Sequence, residues 1–133
     1  MTARRAACAC GALRVACAGE PVRVSVCHCL DCQRRTGSAF GVSARFPKDR
    51  VTVEGTSTTW SRQADSGYGL TFHFCPTCGT TVYWLLQQFP DVIAVAVGAF
   101  ADPSFPPPRH SVFERRRHAW AGIATPEPVQ HLD

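Results

Sequence analysis

Cys27, Cys29 and Cys32 place three thiols within six residues, with His28 between the first two. Thiols this close in sequence rarely reach the Cα separation of about 5.5 Å and the Cβ geometry that a disulfide requires. A metal ion suits them better. Zinc accepts several thiolates at about 2.3 Å around one point, so a tight backbone turn can offer three ligands at once. Two shorter knuckles flank the stretch, Cys8-Ala9-Cys10-Gly11 and Cys75-Pro76-Thr77-Cys78-Gly79. Each ends in glycine, which tolerates the positive φ needed where a chain turns back to aim N–H groups at sulfur.

The knuckles supply two, three and two cysteines, and seven ligands divide as four plus three. Four thiolates close a zinc site and make it structural, whereas three leave a position for water or substrate, the catalytic arrangement. Three ligands from one hexapeptide can share an ion unaided; a two-cysteine knuckle must find its partner elsewhere in the chain. Spacing therefore joins Cys8, Cys10, Cys75 and Cys78 in a closed site and leaves Cys27, Cys29 and Cys32 as an open one. The expected cofactor is Zn2+, two ions per chain.

Three neighbouring residues carry alternatives. Cys17, the eighth cysteine, is either a small buried hydrophobe or a fourth thiolate that closes the central site. His28, flanked by two ligands, points away from their ion, which suits a supporting or surface role; it is also the candidate general acid or base. Arg34 and Arg35 follow the central thiolates. They are either solvated turn charges, or one of them, Arg34, offsets thiolate charge or holds a substrate carboxylate.

The elements that must position these residues read as β-strands. Residues 21–26 alternate Val22, Val24 and Val26 with Arg23 and Ser25, the period-two pattern of a half-buried strand. Further strands are expected over 12–16, 38–46, 51–54, 56–62, 70–74, 80–86 and 91–100, with a last one over 110–116. Residues 92–97 lack polar alternation, as in a strand buried on both faces. In 70–74, His73 faces opposite the phenylalanines and reads as solvated. The polar, glycine-punctuated residues 64–69 make a candidate lid, and the four prolines of 102–109 dictate an extended surface run. No helix emerges. Residues 1–123 read as one domain and 124–133 as a flexible tail.

At 133 residues the chain can bury only a modest core, to which metal staples would add. Nothing behind its basic start forms the apolar run of a signal peptide, and nothing reaches membrane-spanning length. The expectation is a cytoplasmic protein whose cysteines bind metal rather than form disulfides. The formal charge of +4 is partly offset by thiolate sites and favours anionic partners only weakly. Aromatic residues are not interleaved with a dense basic stripe, which argues against nucleic acid.

The pattern Cys8-x-Cys10-Gly11, Cys27-His28-Cys29-x-x-Cys32, Gly37-Ser38 and Phe74-Cys75-Pro76-x-Cys78-Gly79 resembles the glutathione-dependent formaldehyde-activating enzyme family. The resemblance runs from about residue 7 to Trp120 and includes the order of all three knuckles. It implies a β-tent fold of short antiparallel sheets stapled by zinc knuckles, with a structural zinc in the first and third knuckles and a catalytic zinc in the central one. The implied activity is a zinc-dependent carbon–sulfur lyase or synthase acting on a small thiol–aldehyde adduct, S-(hydroxymethyl)glutathione in the founding reaction. Glutathione and formaldehyde are then the partners. The competing reading is a zinc-stabilised binding module for an acidic partner or nucleic acid, using Arg34, Arg35 and residues 115–117 without catalysis.

Overall fold

The computed structural model describes residues 2–133. Its strands, in chain order, are β1 (Ala3–Ala7), β2 (Arg14–Ala18), β3 (Arg23–Cys27), β4 (Gly41–Pro47), β5 (Val51–Glu54), β6 (Thr58–Gln63), β7 (Gly69–Phe74), β8 (Thr81–Leu86), β9 (Val92–Ala96), β10 (His110–Val112) and β11 (Gln130–His131). They form a three-stranded sheet, β1-β2-β5, and an eight-stranded sheet, β11-β10-β3-β4-β9-β8-β7-β6. The mainly β expectation holds, with one refinement: β10 lies parallel to β3, and β11 parallel to β10. The proline-rich run before β10 carries the chain back to the outer side of β3 without a hairpin, so the two strands align in the same direction.

The apolar alternation fixes which faces meet. Val15 and Cys17 of β2, with Leu13 before it, pack with Val24, Ala44, Phe46, Ile93, Val95 and Phe100 in one buried cluster. Phe46 is fully buried, its ring 6.0 Å from that of Phe100. Cys17 is fully enclosed here, and burial pushes its thiol up to about 12. It is core filling and joins neither metal-ligand cluster. β9 is buried on both faces, as its sequence indicates: Ile93 and Val95 join this core, and Ala94 packs with Phe72 and Trp84 on the far side.

Two local expectations are corrected, and two strands form where none is expected. β1 forms from the arginine-rich start, because Ala6 reaches the core and Arg4 is held by both carboxylate oxygens of Glu20. A helix, α1 (Leu30–Thr36), occupies the central knuckle. With no buried residue in seven it shows no apolar period; caps define it instead, the Cys29 thiol accepting from Cys32 N–H and Gly37 closing it at φ 68°. His73 is not solvated: its ring stacks on Tyr83 at 4.4 Å and hydrogen-bonds Ser57 at 2.8 Å. The last ten residues include β11, paired with β10. Gln130 and Leu132 donate to the Arg109 and Ser111 carbonyls, and Glu127 pairs with Arg109 at 2.9 Å.

Candidate metal centres and the adjoining cavity

The hairpin between β1 and β2 and the loop between β7 and β8 bring two knuckles together. The Sγ atoms of Cys8, Cys10, Cys75 and Cys78 all lie within 4.8 Å of one another. Cys8 and Cys10 are 3.6 Å apart, and Cys10 and Cys75 3.7 Å. A tetrahedron with bonds of about 2.3 Å has edges near ~3.8 Å, so the set has the size of a four-thiolate zinc site. Backbone N–H groups of Leu13 and Thr77 point at the Cys8 and Cys75 sulfurs, at 3.2 and 3.4 Å. Hydrogen bonding from the Thr80 hydroxyl, and then from backbone N–H groups, pulls the Cys78 thiol down to about 5. The donors are arranged for thiolates.

The second cluster, Cys27, Cys29 and Cys32, spans the end of β3 and the first turn of α1. The Cys27 and Cys32 thiols donate to Cys29, and with the positive charge of Arg62 they hold its thiol down at about 2. The contacts of Cys27 with Cys29 and then with Cys32, followed by burial, drive the Cys27 thiol far up. One thiolate stabilised at the expense of its neighbours is what three crowded thiols do before an ion takes the place of their protons. All eight cysteines are free, so no disulfide competes for any ligand. Four thiolates against three is the partition that the spacing gives.

A cavity of about 310 Å³ opens beside the second cluster. Cys27, Cys29 and Cys32 line it; none of the four thiols of the first cluster does. Its floor is one face of the large sheet. Arg23 and Ser25 of β3, Ser43 and Arg45 of β4, Phe72 of β7 and Trp84 of β8 all contribute side chains. The turn at 64–69, fastened by an Ala64 to Tyr68 hydrogen bond of 2.7 Å, forms part of the rim. Gly41, opposite Cys27 in the ladder, lets α1 sit close: a Cβ there would stand 2.8 Å from Arg35 Nη2.

Neither His28 nor Arg34 enters this cavity. His28 alternates to the other side of the strand end and is buried, with Nε2 3.0 Å from Ser111 Oγ. Ser111 donates onward to Glu114 at 2.7 Å, since a carboxylate only accepts; its oxygen therefore accepts from His28 N–H. Burial lowers the His28 pKa, and the residue lines a separate small cavity with Glu114, Arg117 and His131. Arg34 is exposed on α1, where it lines an outer groove with Asp31 and Trp60. The 3.6-residue turn of the helix sends it away from the thiols, while its neighbour turns inward: the Arg35 guanidinium lies 4.4 Å over the Trp84 ring.

The cavity's own cations were not singled out from the sequence. They are Arg23, Arg45 and Arg62, the last paired with Asp31 at 3.4 Å and nearly buried. One of them carried a readable signal, because the alternation that sets Arg23 and Ser25 opposite the valines of β3 also sets Arg23 on the face of Cys27. Arg45 follows only once the β3–β4 register is known.

Comparison with known proteins agrees with this geometry. The family described as glutathione-dependent formaldehyde-activating enzyme matches residues 3–116. No curated protein matches the chain. The fold is similar to the crystal structure of a protein from Rhodobacter sphaeroides, at 21% identity and a TM-score of 0.56, covering 71% of this chain and 85% of that one. At that identity the likeness is one of fold. No helix among the described residues is long and apolar enough to cross a membrane.

Proposed function

The chain belongs to the glutathione-dependent formaldehyde-activating enzyme family, and from that premise we propose a zinc-dependent carbon–sulfur lyase or synthase that joins a small thiol such as glutathione to formaldehyde. The carbon–sulfur bond forms as the carbonyl π bond opens, and the proton that leaves sulfur ends on the former carbonyl oxygen. In reverse the same bond breaks and thiol and aldehyde are returned. A zinc ion held by Cys27, Cys29 and Cys32 would keep a bound thiol deprotonated at neutral pH.

One observation carries this reading: only the three-thiol cluster faces the cavity, so the incomplete ligand set and the space for a ligand coincide. The protein's own residues do the rest by placement. Arg62 offsets thiolate charge at the site and is steadied by Asp31. Phe72, Leu70 and Trp84 exclude water from one side, which strengthens the electrostatics of the remaining polar groups. Holding thiol and aldehyde together in this cleft removes the entropy of their encounter from the reaction step. His28 acts through position, orienting the knuckle from behind.

Cobalt-substituted protein tests the proposal. Glutathione should change its ligand-field absorption and release a proton, read by calorimetry in buffers of different ionisation enthalpy, and Cys29→Ser should abolish both. Acceleration of adduct formation or breakdown beyond the uncatalysed rate then separates an enzyme from a binder. Absorption and heat that ignore the thiol, in native protein and Cys29→Ser alike, would sink the proposal.

A further inference from the structure

Three successive pairs across β3 and β4 grade the cavity floor. Cys27 faces Gly41, Ser25 faces Ser43, and Arg23 faces Arg45. Every one except Gly41 lines the cavity. The order is therefore metal ligand, then hydroxyls, then guanidinium groups. Four residues of strand separate Cys27 from Arg23, about 13 Å at ~3.3 Å per residue.

The last rung is anomalous for a sheet. Like charges directly opposite destabilise an antiparallel pair, and half-buried ones more so because solvent screens them less. Neither arginine has a carboxylate partner among the ion pairs of the described residues. Arg23 Nε donates to Ser25 Oγ at 2.9 Å, and the Arg45 guanidinium lies 4.9 Å over the Phe89 ring. Asp65, the sole acid lining the cavity, forms an ion pair with neither. Beside them His110, adjacent to Ser25 in the ladder, has a buried Nδ1 with no hydrogen-bond partner. Burial weakens the hold of both arginines on their protons. Opposed, half-buried cations without a carboxylate partner describe a site arranged for an anion.

We propose that Arg23 and Arg45 form the anion-binding end of the cavity and select an extended thiol whose carboxylate lies remote from its sulfur. The proposal rests on the thiol reading of the central cluster given above. Ser25 and Ser43 lie between the two ends and suit a polar, amide-like middle. A carboxylate two or three bonds from sulfur cannot span that backbone separation. A tripeptide-sized thiol can, since each extended residue spans ~3.3–3.6 Å. Length and terminal charge are thus both read by the same floor.

The test compares ligands on cobalt-loaded protein: glutathione, its diethyl ester, thioglycolate and 2-mercaptoethanol. Glutathione should bind about tenfold or more tighter than the diester and tighter than thioglycolate, as charge-assisted hydrogen bonds require. In Arg45→Gln and Arg23→Gln that advantage should shrink to within about threefold, while 2-mercaptoethanol binds as in the native protein, showing fold and metal intact. The ester comparison needs no variant, so a misfolded variant leaves it decisive. Equal affinities of glutathione and diester for the native protein would overturn the proposal while leaving the thiol reading intact. S-methylglutathione, which offers no thiolate, separates the two: calorimetric binding lost in Arg45→Gln supports the anion site even if no thiol perturbs cobalt, and absence of binding by both ligands overturns it.

Discussion

The Sγ atoms of Cys10 and Cys75 stand 3.7 Å apart although sixty-five positions separate them in the chain. Their cluster ties the hairpin of the small sheet to the end of β7 in the large one, whereas the Cys27, Cys29, Cys32 cluster closes only a local turn. Loss of the long-range tie should therefore cost far more. We expect Cys75→Ser to lose on the order of several kcal/mol, given the large folding contribution of structural zinc. Cys29→Ser should lose under about 1 kcal/mol while shedding one ion. Zinc-reconstituted native protein should hold two ions per chain. Thermal melts showing equal damage, or elemental analysis that stops at one ion, would contradict the division into a closed and an open site.

Gly55 follows β5 at φ +95°, and a Cβ there would stand 2.0 Å from the Ala12 carbonyl oxygen. That backbone belongs to the approach to Leu13, a core residue whose N–H also faces the Cys8 sulfur. Neither side can yield easily. Gly55→Ala should cost about 2–4 kcal/mol. Gly11, at φ +82° with open space around it, isolates the conformational term, and its alanine variant should cost about 1–2 kcal/mol. Urea midpoints that fall equally would show that the approach to Ala12 is soft.

Ser111 is fully buried between His28 and Glu114, accepting from the His28 ring N–H and donating to the Glu114 carboxylate. In Ser111→Ala the His28 N–H loses its acceptor inside the protein, a loss of about 1–3 kcal/mol. His28 sits between two ligands of the central cluster, so zinc occupancy there should weaken as well. Denaturant unfolding at saturating zinc reads the first effect and competition with a chelator the second. A variant unchanged in both would remove His28 from any positioning role.

The two cysteine clusters were legible because cysteine spacing is a local signal: knuckles carry their own turns, and arithmetic alone separates four thiols from three. Strand positions were legible through period two. What stayed hidden was either non-periodic or set by pairing. α1 shows no apolar stripe and is defined by a thiol cap and Gly37, features that read equally well as a turn. β11 exists only because β10 offers it a free edge. His73 was assigned to water because alternation sorts residues into two faces without saying which is the core, and here the larger core takes the face of His73 and Tyr83. Arg45 became a site residue only through its register with Arg23.

That register has a titratable reporter. His110 is held below its ordinary pKa first by burial and then by the charges of Arg23 and Arg45. The free imidazole value is about 6.5. Between that value and the lower native one, the unfolded chain binds a proton that the folded chain refuses. The stability tied to His110 is thus complete above about pH 6.5 and is lost as the pH falls through that window. Arg45→Gln removes one of the two charges and should move the native pKa upward, narrowing the window, while leaving the larger burial contribution in place. Saturation with glutathione should act in the same direction in the native protein, because a carboxylate between the arginines offsets their field. Proton NMR of the His110 ring across pH 4 to 8 reads both. An upward shift in the variant without one on adding ligand would place the anion elsewhere, and a ring indifferent to Arg45→Gln would mean that the paired charges do not act on the half-buried imidazole.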